Sequence, residues 1–145
     1  MTTNNPAPTG YSMVCPYLMV DSIEKQIEFL QKVFNAVITE NLKNSDGIVM
    51  HREVKIGDIV IMMGRGSEKF STAKGMNYVY VNNADEVYNK AIELGAISIA
   101  PPSDKFYGLR EGGFKDPHNN IWFIAQFIKD VSAEDMEKGF ADKKS

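Results

Sequence analysis

The sequence predicts an α+β fold built from two copies of one βαβββ unit, and three observations carry that prediction. The first is an internal repeat. The stretches "YLMVDSIEKQIEFLQKVFNAVI" from Tyr17 and "YVYVNNADEVYNKAIELGAISI" from Tyr78 lie 61 residues apart, and each reads as strand, polar break, amphipathic helix and strand. The second is that the same offset relates Met62 to Phe123, so the spacing holds into the last strand of each copy. The third is the segment "FKDPHNNIWFIAQF", Phe114 to Phe127. There a strand meets an Asp-Pro turn, and a run rich in β-branched and aromatic residues follows, as in a buried strand.

Each element has its own signal. For the first helix, Asp21 stands three residues before Glu24, the spacing of a capping box. Ile23, Ile27, Leu30 and Phe34 then form one apolar stripe. For the second helix, Asn83 and Glu86 repeat the cap. Ala84, Val87, Tyr88, Ala91 and Leu94 make the stripe, and Gly95 suits a left-handed terminator. Both stripes are expected to cover sheets. Strands are expected at 36–42, 48–56 and 59–63, the last two joined by the Gly-Asp turn in "IGDI", and then at 97–100, 109–115 and 121–127. The glycines and lysines of "GRGSEKFSTAKG", Gly64 to Gly75, lack phosphate-loop spacing and read as a connector. After Asp130, "SAED" places Ser132 and Asp135 at capping distance ahead of a short terminal helix.

The predicted organisation is a flexible N-terminus (1–11), one domain (12–131) and a C-terminal helix with a polar tail (132–145). Within the domain, modules span about 12–64 and 76–128 and are joined by a linker at 65–75. A chain of 145 residues can bury one core unaided. Its net charge of −3 argues against a nucleic-acid surface. No apolar run approaches the roughly 20 residues that span a bilayer, and "MTTNNPAPTG" lacks the pattern of a signal peptide. One cysteine, Cys15, excludes an internal disulfide. The expected setting is therefore reducing and cytoplasmic.

The paired units, the Val-Asp or Val-Asn entry to each helix and the closing "GGFKDPHNNIW" hairpin resemble the vicinal oxygen chelate superfamily. That group includes glyoxalase I, bleomycin-resistance proteins, fosfomycin-resistance enzymes and extradiol dioxygenases. "YGLREGGFKDPHNNIWFIAQF" is most similar to the branch named after a protein encoded with phosphonate-utilisation genes. The resemblance implies a curved mixed sheet around a cleft, and a homodimer. In metal-dependent members, four inward side chains hold a divalent ion. Carried over by strand and offset, those positions are Cys15, Met62, Met76 and Phe123, with Asn77 or Tyr78 as alternatives to Met76.

Met and Phe cannot neutralise a hard or borderline cation, so the expectation is no metal and no cofactor. A Cu(I) reading of Cys15, Met62 and Met76 ranks below simple filling of irregular apolar space. His51 and Glu53 share one strand face and could supply a ligand pair or an acid/base couple, but a solvated face is the preferred reading, since strands commonly alternate polar and apolar residues. His118, in the turn, is expected to be exposed. Arg110 is expected either to anchor an anion at the cleft mouth or to pair with Glu111 or Asp104. Phe106 and Tyr107 are candidate stacking walls, whereas Trp122 is expected to face the opposite side of the sheet from Phe123. Cys15 is expected to be an inert thiol.

The leading expectation is a metal-free binder that sequesters a small molecule. Its cleft would be lined by Cys15, Met62, Met76, Tyr80, Tyr107, Arg110 and Phe123. The rivals are a metal-dependent lyase, isomerase or dioxygenase of the same superfamily, an acid/base enzyme using His51 and Glu53, and an interaction module.

Overall fold

A computed structural model of the chain describes residues 5–43, 49–66 and 74–142, with backbone alone at 40–43, 49 and 50. Most of the expected linker therefore lies outside the described residues. The chain divides into two compact units. The first comprises Met1–Gly75 with Pro117–Asn120, and the second Met76–Asp116 with Ile121–Ser145.

The first unit contains β1 (Tyr17–Val20), α1 (Ile23–Phe34), β2 (Val37–Lys43), β3 (Val49–Ile56) and β4 (Ile59–Arg65). Its sheet runs β1-β4-β3-β2, with β1 parallel to β4 and the other pairs antiparallel. The α1 stripe is buried as its spacing predicts: Ile23, Ile27, Leu30 and Phe34 all point inward, toward β3 and β4. Leu18, Val54, Ile61 and Met63 answer from the sheet. The cap differs from expectation by one residue. Ser22, in extended conformation, accepts from Lys25 N, so Asp21 stands outside the helix. The helix ends on Asn35 in the left-handed region, which Asn tolerates better than most side chains.

The turn Pro117–Asn120 groups with this unit. His118 is half-buried rather than exposed: Nε2 accepts from Ser22 N at 3.3 Å, and Nδ1 lies 2.7 Å from Gln26 Oε1. The acceptor role of Nε2 leaves the proton on Nδ1, which donates to Gln26. One imidazole thus satisfies a free amide at the start of α1.

The second unit repeats the plan with β5 (Met76–Tyr80), α2 (Ala84–Glu93), β6 (Ile97–Asp104), β7 (Leu109–Lys115) and β8 (Ile121–Phe127), then adds α3 (Ala133–Asp142). The sheet order is β5-β8-β7-β6. Asn83 Oδ1 caps α2 by accepting from Glu86 N at 3.0 Å, Gly95 takes the left-handed angle, and Ser132 Oγ caps α3 by accepting from Asp135 N at 3.1 Å. All three follow the sequence signals. β6 is longer than predicted, running through Pro101 and Pro102 with shifts of register near Ala100. It is an edge strand, the place in a sheet where missing amide donors are tolerated.

The face of this sheet toward α2 carries Phe114, Trp122 and Ile124, all fully buried. The Trp122 indole donates to Asp116 at 2.8 Å. Trp122 and Phe123 point to opposite faces, as expected.

Candidate functional site

Strand alternation puts Tyr78, Tyr80, Leu109, Glu111, Gly113, Phe123 and Phe127 on the face of the second sheet opposite α2. On that face lies a cavity of about 660 Å³, lined by Tyr78, Tyr80, Tyr107, Leu109, Phe127, residues 129–131, Met136 and Phe140. This size suits a drug-like molecule. β5, β7 and β8 supply the floor, the 105–108 turn one wall and α3 another.

The wall depends on Gly108. Its φ of +84° is left-handed, and a Cβ there would sit 2.1 Å from the Lys129 carbonyl oxygen. Gly108 O accepts from both Ile128 N and Lys129 N. Only glycine serves in this conformation and at this closeness, and the turn sets Tyr107 beside the chain leaving β8. The rings form an array: Tyr78 and Tyr80 meet edge-on at 5.5 Å, Phe106 meets Tyr107 edge-on at 5.0 Å and Phe140 edge-on at 4.8 Å, and Tyr107 lies parallel to Phe140 within 11°.

The carboxylate beneath them is engaged. Glu111 accepts from both the Tyr78 and Tyr107 hydroxyls. Desolvation, then the bond to Glu111, pushes both phenols above the ordinary tyrosine range. Two neutral phenols and an occupied carboxylate make the floor of this pocket a place for shape and stacking, while Lys129 and Asp130 add one charge of each sign to the lining.

Of the residues predicted for the cleft, Tyr80 and Tyr107 line this cavity. Phe123 neighbours Tyr78 in the ladder and leans on Gly113, where a Cβ would come within 2.9 Å of its ring. Met76, at the end of β5, is exposed, and Tyr78, its alternative, is the residue that lines the pocket. Arg110 lies on the α2 side of β7. It forms a bidentate pair with Asp85 (2.9 and 3.0 Å) and a third bond to Asp104 at 3.0 Å. The hydrogen bond from Arg110 lowers the pKa of Asp85. Arg110 thus spends its guanidinium on the first turn of α2 and on β6, including the Asp104 partner that its sequence context offers.

Met136 and Phe140, four residues apart on α3, were not anticipated as lining. Their helical spacing was the available signal.

Cys15 and Met62 belong to the first unit, but Cys15 stands two residues before β1 rather than in it, and Tyr17 holds the strand position beside Met62. The Cys15 thiol donates to Ser12 O at 3.4 Å. Met62 lies in register with Tyr17 and with Glu53. His51 and Glu53 do not form a solvated face. Glu53 is only 5% exposed, with Oε2 2.8 Å from His51 Nε2. The Tyr11 hydroxyl donates to its other oxygen, and the Tyr17 hydroxyl lies 3.2 Å from His51 Nδ1. Tyr11, placed by sequence in a flexible terminus, is part of this network.

The donor set does not fit a divalent cation. Among the described residues no three His, Cys, Asp or Glu side chains gather closely enough to hold one. The carried-over positions are two thioethers, a thiol and a phenyl ring, and the His51–Glu53 pair is committed to two tyrosines.

Three comparisons bear on ancestry. An uncharacterized protein of Mycobacterium tuberculosis is 22% identical over 139 residues, covering 88% of this chain and 82% of the relative. Among solved structures, TioX from Micromonospora sp. ML1 superposes with a TM-score of 0.66 at 20% identity, over 79% of this chain and 98% of its own. The fosfomycin resistance protein FosX of Listeria monocytogenes, in its complex with Mn(II) and sulfate, gives 0.63 at 19% identity over 88% and 95%. The two structural likenesses are of fold. The sequence pattern of the whole family matches residues 12–124, and with the two βαβββ units above it means that this chain belongs to the Glyoxalase/Bleomycin resistance protein/Dioxygenase superfamily.

Proposed function

We propose that the protein binds a flat, mostly apolar small molecule in the pocket of the second unit and acts by holding it, without a resident metal. The pocket itself carries the reading. About 660 Å³ is lined by the five rings of Tyr78, Tyr80, Tyr107, Phe127 and Phe140, and the Glu111 carboxylate beneath them is already bonded to two phenols. Ring stacking and area burial supply affinity there, and nothing in the lining is arranged to change the ligand. Relatives that keep a metal need donors that this chain replaces with Cys15, Met62, Met76 and Phe123. The same reading takes the working protein as a cytoplasmic homodimer of the phosphonate-operon branch, which the closing hairpin and the lone free cysteine support.

The test uses the fluorescent probe 8-anilinonaphthalene-1-sulfonate. Saturable binding of one probe per chain is expected. Phe140→Ala should weaken it by about three- to tenfold, the worth of one aromatic wall, and Arg110→Ala should leave it unchanged. Elemental analysis of the purified protein should find no stoichiometric Mn, Fe, Ni or Zn. Binding indifferent to Phe140 and Tyr80, or one tightly held metal per chain, would overturn the reading.

A further inference from the structure

The pocket leaves unused the hydrogen-bonded chain of the first unit, which runs Tyr11–Glu53–His51–Tyr17 on the sheet face away from α1. Its direction follows from chemistry. An ionised carboxylate only accepts, so His51 Nε2 carries the proton that meets Glu53 Oε2. Nδ1 of the neutral ring is then a lone pair, and it faces the Tyr17 hydroxyl at 3.2 Å. The network is built in. Glu53 is buried, and Gly64 clears the path between the strands, since a Cβ there would lie 2.6 Å from the Tyr17 hydroxyl oxygen.

The second unit shows what the same frame does with a different residue. In the ladders, His51 opposes Gly64 as Glu111 opposes Ala125, and Tyr17 pairs with Met62 as Tyr78 pairs with Phe123. Each opening tyrosine therefore reaches the equivalent position on the third strand of its own module. Tyr78 finds a carboxylate, and burial first and the bond to Glu111 second disfavour its ionisation. Tyr17 finds a base.

We propose that Tyr17 is a nucleophile activated by His51, with Glu53 as the positioning residue, and that its substrates are activated acyl compounds such as aryl esters. A nucleophile, a base and a carboxylate that orients the base are the set that acyl transfer uses. The Tyr17 oxygen attacks the acyl carbon, and its proton passes to His51 Nδ1, giving an imidazolium beside Glu53. Collapse of the tetrahedral intermediate breaks the bond to the aryl oxygen, which leaves with the imidazolium proton. Water, deprotonated by His51, then attacks the acyl-tyrosine; the bond to the Tyr17 oxygen breaks and the imidazolium returns the proton to it, so that ester and water become carboxylic acid and phenol.

The experiment treats the full chain with para-nitrophenyl acetate, follows release of para-nitrophenolate and locates the acetyl group by peptide mass spectrometry. The tyrosines are each other's controls. Tyr80 is 69% exposed and Tyr17 48%, so accessibility alone acetylates Tyr80 first, whereas the relay acetylates Tyr17 first. His51→Gln should slow Tyr17 acetylation by about 100-fold or more, the usual worth of a general base, while the Tyr80 rate stays put. Glu53→Gln offers the ring an amide donor, so it should slow Tyr17 and move the imidazole proton from Nε2 to Nδ1, read by nitrogen NMR. Acetylation of Tyr80 as fast as Tyr17 in the unsubstituted protein, or a Tyr17 rate indifferent to His51→Gln, would sink the proposal. Neither outcome depends on what the second unit binds.

Discussion

Replacing Gly139 by alanine sets two effects of known size against each other. In a free helix the change is favourable by about 1 kcal/mol, because glycine in a helix interior costs that much relative to alanine. The α3 helix is docked, however, and a Cβ at 139 would lie 2.1 Å from Phe106 Cδ2 and 2.6 Å from its Cγ. Both distances are well inside the ordinary carbon contact of about 3.5–4.0 Å. The Phe106 ring cannot swing aside freely, because Tyr107 and Phe140 hold it edge-on from two directions. Relief requires α3 to lift, which gives up the Phe106–Phe140 contact and the parallel Tyr107–Phe140 pair. Each is worth roughly 0.5–1.5 kcal/mol beyond area burial, and the apolar flank of Met136 and Phe140 adds to the loss. Docking therefore weakens by about 1–3 kcal/mol even as the isolated helix improves. Hydrogen-exchange mass spectrometry should show residues 133–142 exchanging several-fold faster in Gly139→Ala, with weaker binding of the fluorescent probe. Slower exchange together with a raised melting temperature would mean that helix preference wins and that α3 does not rest on Phe106.

Three further outcomes are expected. Trp122→Phe removes a buried hydrogen bond to Asp116 as well as ring volume, so urea denaturation should show a loss of about 2–4 kcal/mol. Ser22→Ala should cost about 1 kcal/mol as a lost cap, while Asp21→Ala should be close to neutral; a reversed order would return the cap to Asp21. The Tyr78 and Tyr107 phenols are raised in the folded state. The stability they lend is therefore whole below the ordinary phenol range near pH 10 and lost as pH climbs through their folded values. Circular dichroism should show a flatter alkaline decline for the double Phe variant than for the parent chain.

The fold was legible because it is written twice. A repeat at a fixed offset, two capped amphipathic stripes and an Asp-Pro hairpin are local signals, and the elements they predict agree with the structure to within a few residues. β6 outran its prediction because prolines argue against a strand in sequence, whereas an edge position forgives them in space.

The site was harder to read. Counting strand positions reached β4, β5 and β8 but, with Cys15, stopped two residues short of β1, and which tyrosine reaches which carboxylate depends on register between strands that no single segment encodes. Arg110 was one position from Glu111, and in a strand that single step places it on the opposite face. Tyr11 and Phe140 entered from beyond the repeat, where the comparison of copies offers no guide. Glu53 read as a solvated residue because alternation alone cannot tell a polar face bathed in water from one closed over by its own hydrogen bonds.

The two consecutive prolines of β6 have a consequence beyond the strand that contains them. A second polypeptide attempting to zip along this border would meet a gap where hydrogen-bond donors should continue, and the shifted pairing beside it spoils the flat rail that fibrils extend. That margin of the second sheet is blunted against runaway self-association by the same residues that concealed it from a reader of the sequence.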